Sequence, residues 1–297
     1  MARASYHLLD VFTDRRYAGN PLAVFVDPPE LSGDQMQVLA RELNLSESVF
    51  VRSPADGATA WPTRIFTGST ELPFAGHPTV GTAVLLAELG LVTDSVVLAE
   101  GVGEVSVSIE RSGATTSATF RTVQAPAYSD APDRDILARA LSIESSELHP
   151  KLSAGVWSCG LGFCVVPLRD ADVLARTRVD HTVWSEHLEH TDAEHLYPIA
   201  PLDESLDRWR ARMYATDMGL SEDPATGSAA SAAAGLLAAS RQHAKGPLRW
   251  VIEQGVEMGR PSEIRVALDT DGAEASAVLV SGDAVVVGEG ALEIPAA

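Results

Sequence analysis

The residues ELPFAGHPTVGTA at 71–83 return in altered form as EDPATGSAASAAA at 222–234. Glu71 matches Glu222, Pro73 matches Pro224 and Gly76 matches Gly227, each pair 151 residues apart. The similarity continues on both sides. Upstream, RIF at 64–66 resembles RMY at 212–214, with three more residues in the second intervening loop. Downstream, VVLAEGVGEVSVSI at 96–109 resembles WVIEQGVEMGRPSEIRVAL at 250–268. A repeat of this extent constrains the fold strongly, because each half must hold strand, acidic-Pro-Gly turn, helix, strand, turn, strand.

The pattern predicts one helix from about Pro78 to Leu89, with a proline near its start and Gly90 as its stop, and its counterpart from about Ser228 to Ser240. A further helix is expected over LSGDQMQVLARELN, 31–44. The segments YHLLDVF, LAVFVD, SESVFVR, EVSVSIE, SATFRTV and DAVVVGEGALEI alternate as strands do. The stretch 125–150 is polar and punctuated by proline, with one amphipathic run, and reads as the best linker. The chain of 297 residues has room for two domains. Two similar α+β domains are expected, 1–127 and 128–297.

A glycine turn that opens a helix aims unpaired backbone N–H groups, and the positive end of the helix dipole, at whatever lies in front of it. Such a turn suits a carboxylate or a developing oxyanion. The first turn adds His77 after Gly76; the second adds Asp223 before Pro224 and Ser228 after Gly227. His77 and Ser228 are equivalent in the repeat, 151 residues apart. An imidazole, a carboxylate and a hydroxyl together suit proton transfer on a small molecule. Each also has an ordinary use: Ser228 as an N-cap, Asp223 as a dipole partner, His77 as a pre-helix loop residue. Their coincidence at repeated positions favours function. Glu47, in NLSESVFV, enters an apolar strand, where desolvation would suit acid/base work. On the residues alone, Ser46 and Glu47 read equally as exposed turn residues.

A net charge of -19 argues against nucleic acid or an anionic membrane as partner. No segment has the length and apolarity of a signal peptide or a membrane span, so a cytoplasmic protein is expected. Cys159 and Cys164 make no disulfide framework and lack the second pair that a structural zinc site needs; they read as small apolar strand residues. In DHTVWSEHLEHTDAEH, His187 and His190 could share a helix face, but the run reads as a solvated acidic surface rather than a metal site.

Four motifs, DVFTDRRYAGNPLAVF (10–25), MQVLARELNLSESVFV (36–51), RIFTGSTELPFAGHPTVGTAVLL (64–86) and SEDPATGSAASAAAGLL (221–237), closely resemble the PhzF family of phenazine-biosynthesis-type isomerases, in order and across the whole chain. The resemblance implies the diaminopimelate-epimerase-like α+β fold: two pseudo-symmetric domains, each with a curved sheet around a central helix, and an active site in the cleft between them. It implies a homodimer that needs no cofactor or metal and moves a proton in a small carboxylated substrate, as in the isomerisation of trans-2,3-dihydro-3-hydroxyanthranilate. By motif, Glu47 is the general acid/base, completed by His77, Asp223 and Ser228, while Ser46, Gly76 and Gly227 contact the substrate. Racemases of the wider superfamily carry two cysteines just before the turn glycines. Here those positions are Ala75 and Thr226, which speaks against two-thiol racemisation and for a proton relocation with a double-bond shift; the resemblance implies a place in natural-product biosynthesis, phenazine-type or another antibiotic pathway. An epimerase using non-thiol bases and a non-catalytic binding protein are the alternatives.

Overall fold

The computed structural model describes residues 2–214, 222–241, 246–270 and 276–296. The elements of the first half are β1 (Arg3–Val11), β2 (Asn20–Val26), α1 (Gly33–Leu43), β3 (Glu47–Val51), β4 (Ala60–Phe66), β5 (Glu71–Leu72), α2 (Gly76–Glu88), β6 (Ser95–Glu100), β7 (Gly103–Ser112) and β8 (Thr115–Arg121). There follow β9 (Ala127–Asp130), α3 (Arg134–Ala140), β10 (Gly155–Ser158), β11 (Gly162–Pro167), α4 (Ala171–Ala175), α5 (His181–His187), β12 (Leu196–Pro201) and β13 (Arg208–Ala211). The last elements are α6 (Gly227–Ser240), β14 (Gly246–Gln254), β15 (Ser262–Thr270) and β16 (Leu279–Glu293). The chain divides into two compact units, Met1–Arg121 with Ser281–Ala297, and Thr122–Val280. A linear division at 127/128 gives the last strand to the second half, whereas the compact units give most of it to the first.

In the first unit the strands run β1-β2-β3-β4-β6-β7-β8-β16, and β16 pairs back antiparallel onto β1, with Arg3 opposite Glu293, so that the sheet closes. Helix α2 packs against β1, β2, β3, β6, β7 and β8. Its sequence carries no charge before Glu88, and every residue from Gly76 to Ala87 is buried, as a helix surrounded by sheet must be. Small residues set how closely the strands approach. A Cβ on Gly81 would come within 2.6 Å of Leu22 Cδ2 and 2.7 Å of Val11 Cγ2. The helix stops at Gly90 (φ 71°), whose N–H bonds Ala87 O while Leu91 N–H reaches back to Leu86 O, a Schellman closure.

The second unit has the order β9-β10-β11-β12-β13-β14-β15, with β11–β12 and β13–β14 parallel. Here α6, also without charge, is buried almost throughout and packs against β10, β11, β14 and β15. A Cβ on Gly235 would lie 2.5 Å from Trp157 Cε3. The stretch 125–150 is not a linker. It forms β9 and α3, because its amphipathic run buries Leu137, Ala138, Ala140 and Leu141 beside Val173, Leu174, Trp184 and Leu188. Cys164 is a buried residue of β11, whereas Cys159 sits in the turn before it and not in a strand. His187 and His190 share no helix face, since α5 ends at His187 and His190 has φ 62°.

The repeated residues outside the helices form one device, built twice. Arg64 donates from Nε and Nη2 to both carboxylate oxygens of Glu71, at 2.7 Å each, and stacks 5.1 Å from the Phe66 ring. Arg212 donates in the same way to Glu222, at 2.9 and 2.8 Å, and stacks 5.1 Å from the Tyr214 ring. Each fork closes the chain between a strand and the turn before a central helix. The two differ in burial: the Arg64–Glu71 side chains are each 42% exposed, those of Arg212 and Glu222 only 11% and 12%. Glu222→Ala should therefore cost about 3 kcal/mol or more, since it strands a buried guanidinium, and Glu71→Ala less than about 1 kcal/mol. Urea denaturation of the two variants checks the difference, and equal losses would contradict it.

Candidate active site

Local structure in the first unit brings three polar side chains to one point. Helix α1 starts with a capping box: Ser32 Oγ accepts from Gln35 N–H and Gln35 Oε1 accepts from Ser32 N–H. Its face of Met36, Leu39 and Ala40 packs with Phe25, Phe50 and Phe66. The helix ends at Asn44 in the left-handed conformation (φ 51°), and the chain turns through Leu45 and Ser46 to Glu47, the first residue of β3. Strand β3 runs parallel to β2, with Leu22 opposite Glu47, so Asn20 at the start of β2 lies at the same end. His77 is the second residue of α2.

Asn20 Nδ2 lies 3.3 Å from His77 Nδ1, and His77 Nε2 lies 3.5 Å from Glu47 Oε2. An amide N–H directed at Nδ1 makes that nitrogen the acceptor, which puts the imidazole proton on Nε2, facing Glu47. At 3.5 Å the second contact is at ion-pair range rather than a well-aligned hydrogen bond. Burial holds the His77 pKa down at about 3, so the ring is neutral. His77 is 4% exposed and Asn20 fully buried, whereas the Glu47 side chain is 17% exposed. Glu47 is thus the accessible member, backed by a neutral donor. The N-cap of α2 is Ala75, which offers no side-chain acceptor, and Pro78 has no N–H. The first-turn N–H groups of Gly76 and His77 are therefore not taken by a cap.

The second turn holds a carboxylate instead. Asp223 is buried, its N–H bonds Met213 O at 3.0 Å, and its Oδ2 accepts from Thr226 Oγ1 at 2.5 Å. Gln254, at the end of β14, donates from Nε2 to Asp223 O (2.8 Å) and to Thr226 Oγ1 (3.0 Å). Its Oε1 accepts from Tyr197 OH (3.0 Å) and Thr226 N–H (3.3 Å). Burial first, and the Asp223 charge second, push the Tyr197 pKa far up, so this hydroxyl stays a donor. Thr226, not Ser228, is the N-cap of α6, and it makes no side-chain cap bond. Ser228, half-buried, follows Gly227 in the uncapped first turn.

Of the residues singled out in the sequence, Glu47 and His77 meet in the first unit, next to Ser46 and Gly76. Asp223, Gly227 and Ser228 share one turn of the second unit; Ser221 of that motif lies outside the described residues. Sequence reasoning missed Asn20, Tyr197 and Gln254. Asn20 stands inside AGNPLAV, where an Asn-Pro step opens a strand, and Gln254 stands in the repeat, matched by Glu100. Tyr197 leaves no signal in the sequence. Among the described residues no three His, Cys, Asp or Glu side chains group so as to hold a metal, and His195 packs on Phe163 at 5.7 Å between ring centres. No helix among them is long and apolar enough to cross a membrane.

Residues 9–290 match the family model described as phenazine biosynthesis-like protein. The chain is 37% identical to an uncharacterized isomerase of Mesorhizobium japonicum, over 99% of this chain and 100% of the other. It is also 37% identical to the trans-2,3-dihydro-3-hydroxyanthranilate isomerase of Pseudomonas fluorescens, over 97% and 99%. A crystal structure of a PhzF-family phenazine biosynthesis protein from Bacillus anthracis superposes with TM-score 0.90 at 26% identity, covering 99% of this chain and 100% of that one. The buried helix within a sheet, the repeated glycine turns and these similarities agree: the chain belongs to the phenazine biosynthesis-like (PhzF) family.

Proposed function

We propose that this chain is a cofactor-independent isomerase that relocates a proton, and with it a double bond, in a small carboxylated unsaturated substrate, with Glu47 as the proton carrier. Its relatives are named isomerases, and the chain is an isomerase of that family. The observation that carries the mechanism is the contact of Glu47 with a neutral, Asn20-held His77. Ionised Glu47 takes a proton from an activated carbon and, as the neutral acid, returns it to another carbon of the conjugated system on the same face. His77 donates from Nε2 throughout and steadies the carboxylate whenever it is charged.

The uncapped turns at Gly76 and Gly227 offer N–H groups to the substrate carboxylate and to charge that develops during transfer. Asp223, oriented by Thr226, and the hydroxyls of Ser46 and Ser228 complete the binding. The reading further takes the protein to be cytoplasmic, and a homodimer as the family resemblance implies, with no nucleic acid or membrane partner, in keeping with its charge of -19.

Trans-2,3-dihydro-3-hydroxyanthranilate is the first substrate to test, in D2O, with NMR of the product. A double-bond shift is expected from the wild type, and Glu47→Gln should lower kcat by at least about 10²-fold with an unchanged circular dichroism spectrum. Normal turnover in Glu47→Gln would remove Glu47 from its role. Deuterium at a stereocentre without a double-bond shift would favour an epimerase, and binding without any exchange a binding protein. Asn20→Asp places a carboxylate on Nδ1, draws the proton there and raises the His77 pKa. It should reduce kcat by about 10-fold or more with little change in KM, and unaltered pH–rate behaviour would contradict the tautomer assigned to His77.

A further inference from the structure

Glu100 closes β6 opposite Gly103 and is 7% exposed, although it is a carboxylic acid with no ion pair among the described residues. Its Oε1 lies 2.9 Å from Thr79 Oγ1, which lies 2.8 Å from Ala75 O. Thr79 has one hydroxyl hydrogen and faces two acceptors if Glu100 is ionised. Both contacts are satisfied when Thr79 donates to Ala75 O and a protonated Glu100 donates from Oε1 to Thr79 Oγ1. Glu100 Oε2, buried and without a hydrogen-bond partner, is then the carbonyl oxygen of a neutral acid. Ala75 and Thr79 bracket Gly76 and His77, so this chain of contacts clasps the turn that carries the imidazole.

In the second unit the equivalent residue is an amide that also holds the turn before the central helix, through different partners. Gln254 matches Glu100 in the repeat and bonds the turn before α6 through Nε2. The following glycines are equivalent too: a Cβ on Gly101 would lie 2.7 Å from Pro73 Cα, and one on Gly255 2.6 Å from Pro224 O. Protonated Glu100 has the shape of Gln254, with O–H where the amide has N–H.

We propose that Glu100 is a positioning residue for His77, acting as a neutral acid that clasps the first turn of α2, and that its ionisation loosens the turn and switches the enzyme off at alkaline pH. The proposal rests on the reading of Glu47 and His77 given above. Burial, with the Thr79 contact opposing it, pushes the Glu100 pKa up to about 8. Among the described residues no charged group acts on it. Its neighbours are neutral: Thr79 of α2, Gly103 of β7, and Pro73 against the following Gly101. The folded state therefore holds a proton that the unfolded chain releases near 4.5. The stability contributed by Glu100 is complete below that pH and declines as pH rises towards 8.

The test compares wild type with Glu100→Gln, which keeps the clasp and removes the titration. Wild-type kcat on trans-2,3-dihydro-3-hydroxyanthranilate should fall about tenfold per pH unit above pH 8, at constant KM. Glu100→Gln should lie within about threefold of wild type at pH 7 and show no such limb. The Tm advantage of Glu100→Gln over wild type should grow from pH 5 to 8 and then level off. Infrared spectroscopy of the wild type should show a protonated carboxyl band at pH 7 that disappears near pH 8 and is absent in the variant. An identical alkaline limb in Glu100→Gln, a Tm difference independent of pH, or no protonated band in wild type at pH 7 would each overturn the proposal. The Tm and infrared readouts need no turnover, so they separate failure of the clasp from failure of the catalytic reading.

Discussion

A helix enclosed by sheet has to be apolar on all sides, and it must still present a polar N-terminus to something. That constraint governs both units of this protein. Helices α2 and α6 carry no charged residue over their buried lengths, and neither has a side-chain cap. Their first-turn N–H groups are committed to whatever lies ahead of the turn. The turns are in turn held from behind by groups that do not touch those N–H donors: the Arg–Glu forks, and the hairpin residues Glu100 and Gln254. Fixing the backbone from behind leaves its dipole aimed forwards, the preorganisation that charge-stabilising catalysis requires.

Upon this common frame the two repeats have diverged in chemistry. The first turn carries an imidazole that burial keeps neutral, with an amide on one nitrogen and a carboxyl on the other. The second carries a carboxylate locked by Thr226, with Gln254 and Tyr197 behind it. On one side Glu47 is the more exposed group, and burial keeps its imidazole neighbour neutral. On the other, Asp223 is buried and accepts from the Thr226 hydroxyl. Duplication supplied equal geometry, and a handful of side chains made the halves unequal.

Much of the fold can be read from the sequence, because its determinants are local. The repeat locates α2 and α6 to within two residues, Gly90 ends α2 as a glycine stop does, and alternation finds β1, β2, β3, β7, β8 and β16. What alternation does not tell is a strand's partner, so nothing in DAVVVGEGALEI announces that this strand pairs with β1. The run 125–150 looks like a linker because its apolar residues are few, yet those few are the ones α3 buries. Within the site, Glu47, His77 and Asp223 stand out by type and motif. Asn20, Tyr197 and Gln254 act only through contacts with distant segments, and a buried amide is indistinguishable from a surface one in a string of letters.

The proposed catalysis depends on a neutral His77 that carries its proton on Nε2 beside Glu47. The measurement closest to that claim is ¹⁵N NMR of the histidine side chains between pH 5 and 8, with His77 assigned through the His77→Gln variant. One ring should show a protonated Nε2 and an unprotonated, hydrogen-bonded Nδ1, unchanged across the range. With its folded pKa depressed to about 3, His77 contributes stability that is present above 6.5 and lost as pH falls towards 3. A His77 ring that titrates with a midpoint near 6.5, or that carries its proton on Nδ1, would contradict the account.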